Sequence, residues 1–194
     1  MREHGSIQPS FFLRPLGWKD APLLLEGRNS DHVRLLMLSQ KRITQEEHRR
    51  WMEKRLATPE TPYFIFLEGS KPLGLVGMTS FDEEHARGDW GFYLWATDAP
   101  SGAGTHMLSA FLDEIFLRRA VRKLCSQVIN TNEKSLHLHR KLGFSEEGLL
   151  KDHILGLNGP QDVTVFGLFD HDWHVRRTTF NTYVANVAFL PPME

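Results

Sequence analysis

Thr97–Met107 reads TDAPSGAGTHM, a run of small residues that turns into a helix almost without warning. Met107, Leu108, Phe111, Leu112, Ile115 and Phe116 fall on one helical face and must lie on a core. The first N–H groups of that helix, from Gly102, Ala103, Gly104, Thr105 and His106, have no intrahelical partner. Gly102 and Gly104 lack a Cβ, so a bulky anion can reach the backbone, where the positive end of the helix dipole favours it. The chemistry offered is anion binding; a flexible loop capping an ordinary helix fits the same residues.

The run DWGFYLWA, Asp89–Ala96, stands before this loop and is strongly β-prone. The order is therefore strand, small-residue loop, amphipathic helix. It is no dinucleotide fingerprint, since the third glycine is missing and no acidic residue ends the next strand. It is no P-loop either, because no Gly-Lys-Ser/Thr follows.

Other reactive side chains carry less. Cys125 lies inside an expected strand and reads as a core filler rather than a nucleophile. His137 and His139 are two positions apart on an expected helix and face different ways, so no metal pair forms. His171 and His174, in HDWH, read as a polar end of the domain. No metal is expected.

The 194 residues suit one domain with a substantial core, and 41% hydrophobic against 24% charged residues is ordinary for a soluble chain. A net charge of −1 gives no basic surplus to drive binding to nucleic acid or acidic membranes. A single cysteine fits a reducing compartment. No run of about 18 apolar residues exists to span a membrane, and MREHGSIQPS lacks a secretory h-region. A cytoplasmic location is expected.

The elements follow from local signals. Ser10–Leu16 is an expected strand; Asp20 then caps a helix with Pro22 in its first turn, ending near Arg28 and Asn29. His32–Leu38 continues as a short helical piece. Thr44-Gln-Glu-Glu47 is a capping box. Pro62–Glu68 and Lys71–Phe81 are strands around a Gly69-Ser70 turn, and Arg122–Asn130 is another. Asn132 caps a helix that Gly143 stops, and a terminal hairpin turns at Asn158-Gly159. The order is that of a mixed α+β fold around one sheet. Residues 10–173 read as the domain. Residues 174–194 read as an extension, in which Phe180, Thr182 and Val184 alternate with Asn181, Tyr183 and Ala185: an edge strand, a contact to a partner subunit in a homodimer, or a disordered tail.

With strand, SGAGTHM and helix followed by NTNEKSLHLHRKLGF, Asn130–Phe144, the chain resembles the GNAT family of acetyl-CoA-dependent N-acetyltransferases over about Phe11–Trp173. RNSDHVRLLM, ITQEEHRRW, DWGFYLW, KSLHLHRKLGFSEEG and DVTVFGL are similar, within that family, to the N-acetyltransferases of pseudaminic acid biosynthesis. Those acetylate the 4-amino group of a UDP-linked amino-dideoxy sugar. The resemblance implies a mostly antiparallel, mixed seven-stranded sheet, splayed between strands 4 and 5, with helices on both faces.

It also implies roles. Gly102, Ala103, Gly104, Thr105 and His106 would hold the CoA pyrophosphate. Leu94, Trp95 and Ala96 would pair with the pantetheine, with Asn132 and Lys141 beside the cofactor. His139 stands where the family often has a tyrosine acid. Asp89 stands where many members have a Glu base, with Thr79 or Ser80 placing a water. Arg28, Met37, His48, Trp51 and Tyr93 match positions lining a nucleotide-sugar pocket. Two departures stand out: Ala99 where the phosphate loop often begins with Gln or Arg, and His139 itself.

Expected is transfer of acetyl from acetyl-CoA to the primary amine of a nucleotide-linked amino sugar by direct attack in a ternary complex. The alternatives are a protein N-terminus or a small amine such as an antibiotic, or a non-catalytic CoA-binding sensor.

Overall fold

The computed structural model describes residues 9–193. The leader reading of the N-terminus falls largely on residues 1–8, outside the described residues.

Strand β1 (Phe11–Pro15) is followed by a 3-10 turn at Trp18–Asp20 and helices α1 (Ala21–Asn29), α2 (Asp31–Arg34) and α3 (Gln45–Leu56). Then come β2 (Tyr63–Glu68), β3 (Lys71–Asp82), β4 (Arg87–Leu94), α4 (Ala103–Arg118), β5 (Lys123–Ile129) and α5 (Glu133–Leu142). The chain ends with β6 (Ser145–Gly156), β7 (Gly159–Phe169), α6 (Asp170–Arg176), a 3-10 turn at Arg177–Phe180, α7 (Asn181–Ala185) and β8 (Val187–Phe189).

One sheet runs β6-β7-β5-β4-β3-β2-β1-β8. Among the described residues, only β1–β8 and β4–β5 are parallel pairs. The seven expected strands are present, and the C-terminal extension adds an eighth.

Helices cover both faces, which is why β2 is buried along nearly its whole length. Its alternation sorts the layers. Phe64 and Phe66 pack with Met107, Leu108, Phe111 and Ile115 of α4, whereas Tyr63, Ile65 and Leu67 pack with Leu24 of α1 and Met52 of α3.

β4 pairs with β5 only at Arg87↔Lys123, Gly88↔Leu124 and Asp89↔Cys125. Beyond that point the two strands part, while β4 stays paired with β3 as far as Leu94↔Gly74. At the far rim, β6 is mostly exposed; its ladder with β7 shifts register twice, and Asp152 takes φ 47°.

The Thr44 capping box forms as expected, Glu47 N–H donating to Thr44 Oγ1 and Thr44 N–H to Glu47 Oε2. The Thr44 N–H, Lys41 and the Thr44 hydroxyl hold the Glu47 carboxyl down at about 2. Asp20 does not cap α1: it accepts both guanidinium nitrogens of Arg14, at 2.7 and 3.1 Å, and the Gly17 N–H. The extension also departs from the alternating reading. Phe180–Ala185 is helical, and the edge strand is Val187–Phe189, paired with Phe11–Leu13. No helix among the described residues is long and apolar enough to cross a membrane.

Candidate active site

The parting of β4 from β5 leaves one backbone edge of β4 without a strand partner. Trp95 N–H donates toward β3, to Leu73 O at 3.0 Å. Because N–H directions alternate along a strand, those of Leu94 and Phe92 turn to the open side. Trp95 O accepts from His32 Nε2 at 2.9 Å, so α2 closes over the end of β4. Ala96 N–H also bonds Leu73 O, at 3.2 Å. Of the three residues expected to pair with a pantetheine, Leu94 presents the free donor and the other two are engaged.

α4 begins beside this opening. Gly102 takes φ 85°, a left-handed value that glycine adopts without penalty. Ala103 N–H donates to Pro100 O and His106 N–H to Gly102 O. The Gly102, Gly104 and Thr105 N–H groups find no acceptor among the described residues. The anion cradle is thus narrower than the five amides expected. These three orphan donors, a glycine approach and the helix dipole together fit a diphosphate. The His106 ring faces away, Nδ1–H donating to Tyr183 O at 2.9 Å, and it packs between Phe11 and Tyr183.

Lys141 reaches across from α5, and its Nζ donates to the Thr105 hydroxyl at 3.0 Å. Asn132 is occupied at both ends. Its Oδ1 caps α5 through Ser135 N–H at 3.1 Å, and its Nδ2 donates to Leu36 O at 3.4 Å.

His139, expected as a general acid, lies in the core. The ring is 1% exposed, among Trp90, Phe92, Phe144 and Phe166. Nδ1 lies 2.8 Å from the Ser135 carbonyl, which can only accept, so Nδ1 carries the hydrogen. Nε2 then accepts from the Ser126 hydroxyl at 2.9 Å. Burial depresses its pKa to about 4, partly offset by the Ser135 bond. Near neutral pH the ring is the neutral imidazole, its one N–H engaged by the Ser135 carbonyl.

Asp89 sits where the parting begins, opposite Cys125. Its carboxylate is exposed and accepts the Ser80 hydroxyl at 2.7 Å. A bulge between Met78 and Ser80 brings that hydroxyl into place. Thr79 lies on the same patch; its carbonyl accepts from Arg55 Nη1 at 2.9 Å, and its methyl occupies the space a Cβ on Gly91 would meet. Burial raises the Cys125 thiol, which keeps it protonated.

On the α1–α3 face, Tyr93 and Trp51 pack on the same apolar cluster. Burial raises the Tyr93 phenol, opposed by the nearby Arg28 guanidinium; burial also pushes Tyr63 up to about 12. Arg28 Nη2 donates to Ser39 O at 2.7 Å, while Nη1 is buried with no partner. Burial lowers the Arg28 pKa. His48 is turned inward, its Nε2 donating to Ala21 O at 2.9 Å, so it ties α3 to α1 while its ring stacks on Trp51. Its pKa is lowered by burial. Met37 lies on the turn after α2, its N–H donating to Arg34 O. The structure therefore groups Arg28, Tyr93 and Trp51, with His48 joined to them through Trp51.

Sequence reasoning missed Ser126, a lone serine in a strand that gives no signal, and Tyr183, read only as part of an alternating tail. Among the described residues no cluster of three His, Cys, Asp or Glu could hold a metal.

A family model described as Acetyltransferase (GNAT) domain matches residues 10–145. An uncharacterized N-acetyltransferase, YokL, from a Bacillus subtilis prophage is 32% identical over 123 residues, 62% of this chain and 68% of its own length. A spermidine N(1)-acetyltransferase of Escherichia coli is 28% identical over 62% of this chain and 64% of its own. The chain thus spans about two thirds of the length of these curated relatives. Among solved structures, a spermidine N-acetyltransferase from Vibrio cholerae in complex with CoA and spermine superposes with a TM-score of 0.79 at 19% identity. That match covers 85% of this chain and 98% of the other. A ribosomal L7/L12 alpha-N-protein acetyltransferase, RimL, with CoA gives 0.74 at 16% identity, covering 84% and 96%.

Proposed function

The chain belongs to the GNAT acetyltransferase family, and from that premise we propose that it moves an acetyl group from acetyl-CoA to the primary amine of a nucleotide-linked amino sugar. One observation carries the acetyltransferase reading. The sheet opens after Asp89–Cys125 beside the three unpaired amides at the start of α4. A helix start for a diphosphate and an open strand edge for an amide-bearing arm suit CoA together, and neither alone would.

Bound acetyl-CoA supplies a thioester carbonyl open to attack by a neutral amine. The residues do the rest. Gly104 and Thr105 N–H groups hold the diphosphate, with Lys141 as nearby counter-charge. The Leu94 N–H on the open edge of β4 is the donor placed to steady developing negative charge. Asp89, held by the Ser80 hydroxyl, accepts the ammonium proton of the acceptor directly or through a water. His139 shapes the floor between the parted strands and moves no proton.

Arg28 favours an acceptor that carries negative charge. The charged and titratable groups acting on it are Tyr93 and Arg34; those acting on Tyr93 are Arg28 and Tyr63. None is a carboxylate. A polyamine, the substrate of the Escherichia coli and Vibrio cholerae enzymes, needs carboxylates for its several ammonium groups. A sugar diphosphate would satisfy the unpartnered Nη1.

The test is a panel assay of thiol release from acetyl-CoA with a UDP-amino sugar, spermidine and a peptide amine. Turnover on the UDP-amino sugar is expected, with KM rising about tenfold or more in Arg28→Met. Preference for spermidine or the peptide would overturn the acceptor assignment. Thermal stabilisation by acetyl-CoA without turnover on any amine would make the protein a sensor.

A further inference from the structure

Tyr183 belongs to the C-terminal extension, yet its side chain stands at the start of α4. A Cβ built on Gly102 would lie 3.8 Å from its ring. Its carbonyl holds the His106 side chain. The Lys141 ammonium lies 5.0 Å from the centre of the Tyr183 ring while donating to the Thr105 hydroxyl. That cation is lodged between a hydroxyl and an aromatic face, which orient it without neutralising it.

The extension is firmly seated. Asp113 of α4 accepts the Trp173 indole N–H at 2.9 Å and two Arg177 nitrogens at 3.0 and 2.7 Å. Phe180 stacks on the fully buried Trp173. Arg176 donates to the Lys141 carbonyl at 3.1 and 3.0 Å. Its chain passes where a Cβ on Gly143 would clash, at 2.4 Å. β8 then zips onto β1.

We propose that this extension is one wall of the phosphate site, and that Tyr183 is a positioning residue holding Lys141 beside the free Gly104 and Thr105 amides. A lysine on a flexible four-carbon stem loses much rotamer entropy when fixed. A ring that fixes it beforehand removes part of that cost from anion binding. The inference rests on the acetyltransferase reading, since it takes the anion to be the CoA diphosphate.

The experiment is calorimetric titration of CoA into the full chain and its variants at two salt concentrations. Tyr183→Leu is expected to weaken CoA about 3–10-fold, and Tyr183→Phe, which keeps the ring face, less than about twofold. In a Lys141→Met background Tyr183→Leu should add nothing, and both single losses should flatten the salt dependence. In the wild-type chain with 13C-dimethylated lysines, the Lys141 methyl signal should sit upfield of the other lysines and move on adding CoA. Equal losses from Tyr183→Leu with and without Lys141, or a Lys141 signal at its ordinary position, would overturn the role of Tyr183. A wild-type chain that binds no CoA would instead overturn the acetyltransferase reading.

Discussion

His139 Nε2 accepts the Ser126 hydroxyl at 2.9 Å, so a side chain of α5 reaches β5 beneath the point where β4 leaves it. The same ring packs on Trp90 and Phe92 of β4. It fastens the floor of the opening across the gap between the strands. This explains a histidine in a core position: one bulky ring, neutral, with a partner for each nitrogen.

The arrangement fixes a pH signature. The His139 pKa falls from 6.5 to about 4 on folding, so the unfolded chain binds the proton more readily. The stabilisation is full above about pH 6.5 and is lost as pH falls toward 4, amounting to roughly 3 kcal/mol from this ring. His48 acts in the same direction, so the acid limb is shared. His139→Phe should shallow the decline in urea stability between pH 7 and 4. It should cost about 1–3 kcal/mol at neutral pH, because Ser126 loses its partner. It should leave kcat within about tenfold; a drop of about 10²-fold with unchanged stability would restore the acid role.

Asp89→Asn removes the carboxylate at the mouth of the parted strands while keeping its shape. A kcat reduction of about 10²-fold or more is expected. Ser80→Ala should give a smaller loss, since it removes one orienting bond. A wild-type-like kcat in Asp89→Asn would mean that the acceptor amine arrives already neutral and needs no protein base.

Asp113 joins α4 to the extension through three charge-assisted or indole bonds, and it holds the Arg177 guanidinium above its usual range. Asp113→Asn should lower stability by about 1.5–3 kcal/mol. Limited proteolysis should then cut first between Phe169 and Val187. Unchanged urea midpoints and an unchanged cleavage pattern would show that the extension is held by apolar packing alone.

The parts of this fold set by near neighbours were legible. The Thr44 box, the α4 stripe, the Gly69-Ser70 turn and the Gly143 stop each depend on residues a few positions apart. Gly143 takes φ 98°, the conformation that stop requires. Asp20 looked like a helix cap because its partner, Arg14, is on the preceding strand and claims the carboxylate only once β1 is laid down. His139 looked like a polar helix residue because its enclosure comes from Phe166 and Ser126, on strands far along the chain. The helical turn at Phe180–Ala185 was masked by an alternating pattern; what decides it is Trp173 and His106, against which Phe180 and Tyr183 pack. At the candidate site, residue types and spacing pointed to the amides, and only the geometry showed which three were free.

The two outer strands of the sheet have a bearing on how the protein behaves when concentrated. β8 offers a rim just three residues long, and β6 offers one whose register slips twice and whose backbone bends at Asp152. Neither is a straight template on which another chain could stack, so growth into fibrils is blocked at both sides despite exposed leucines such as Leu155.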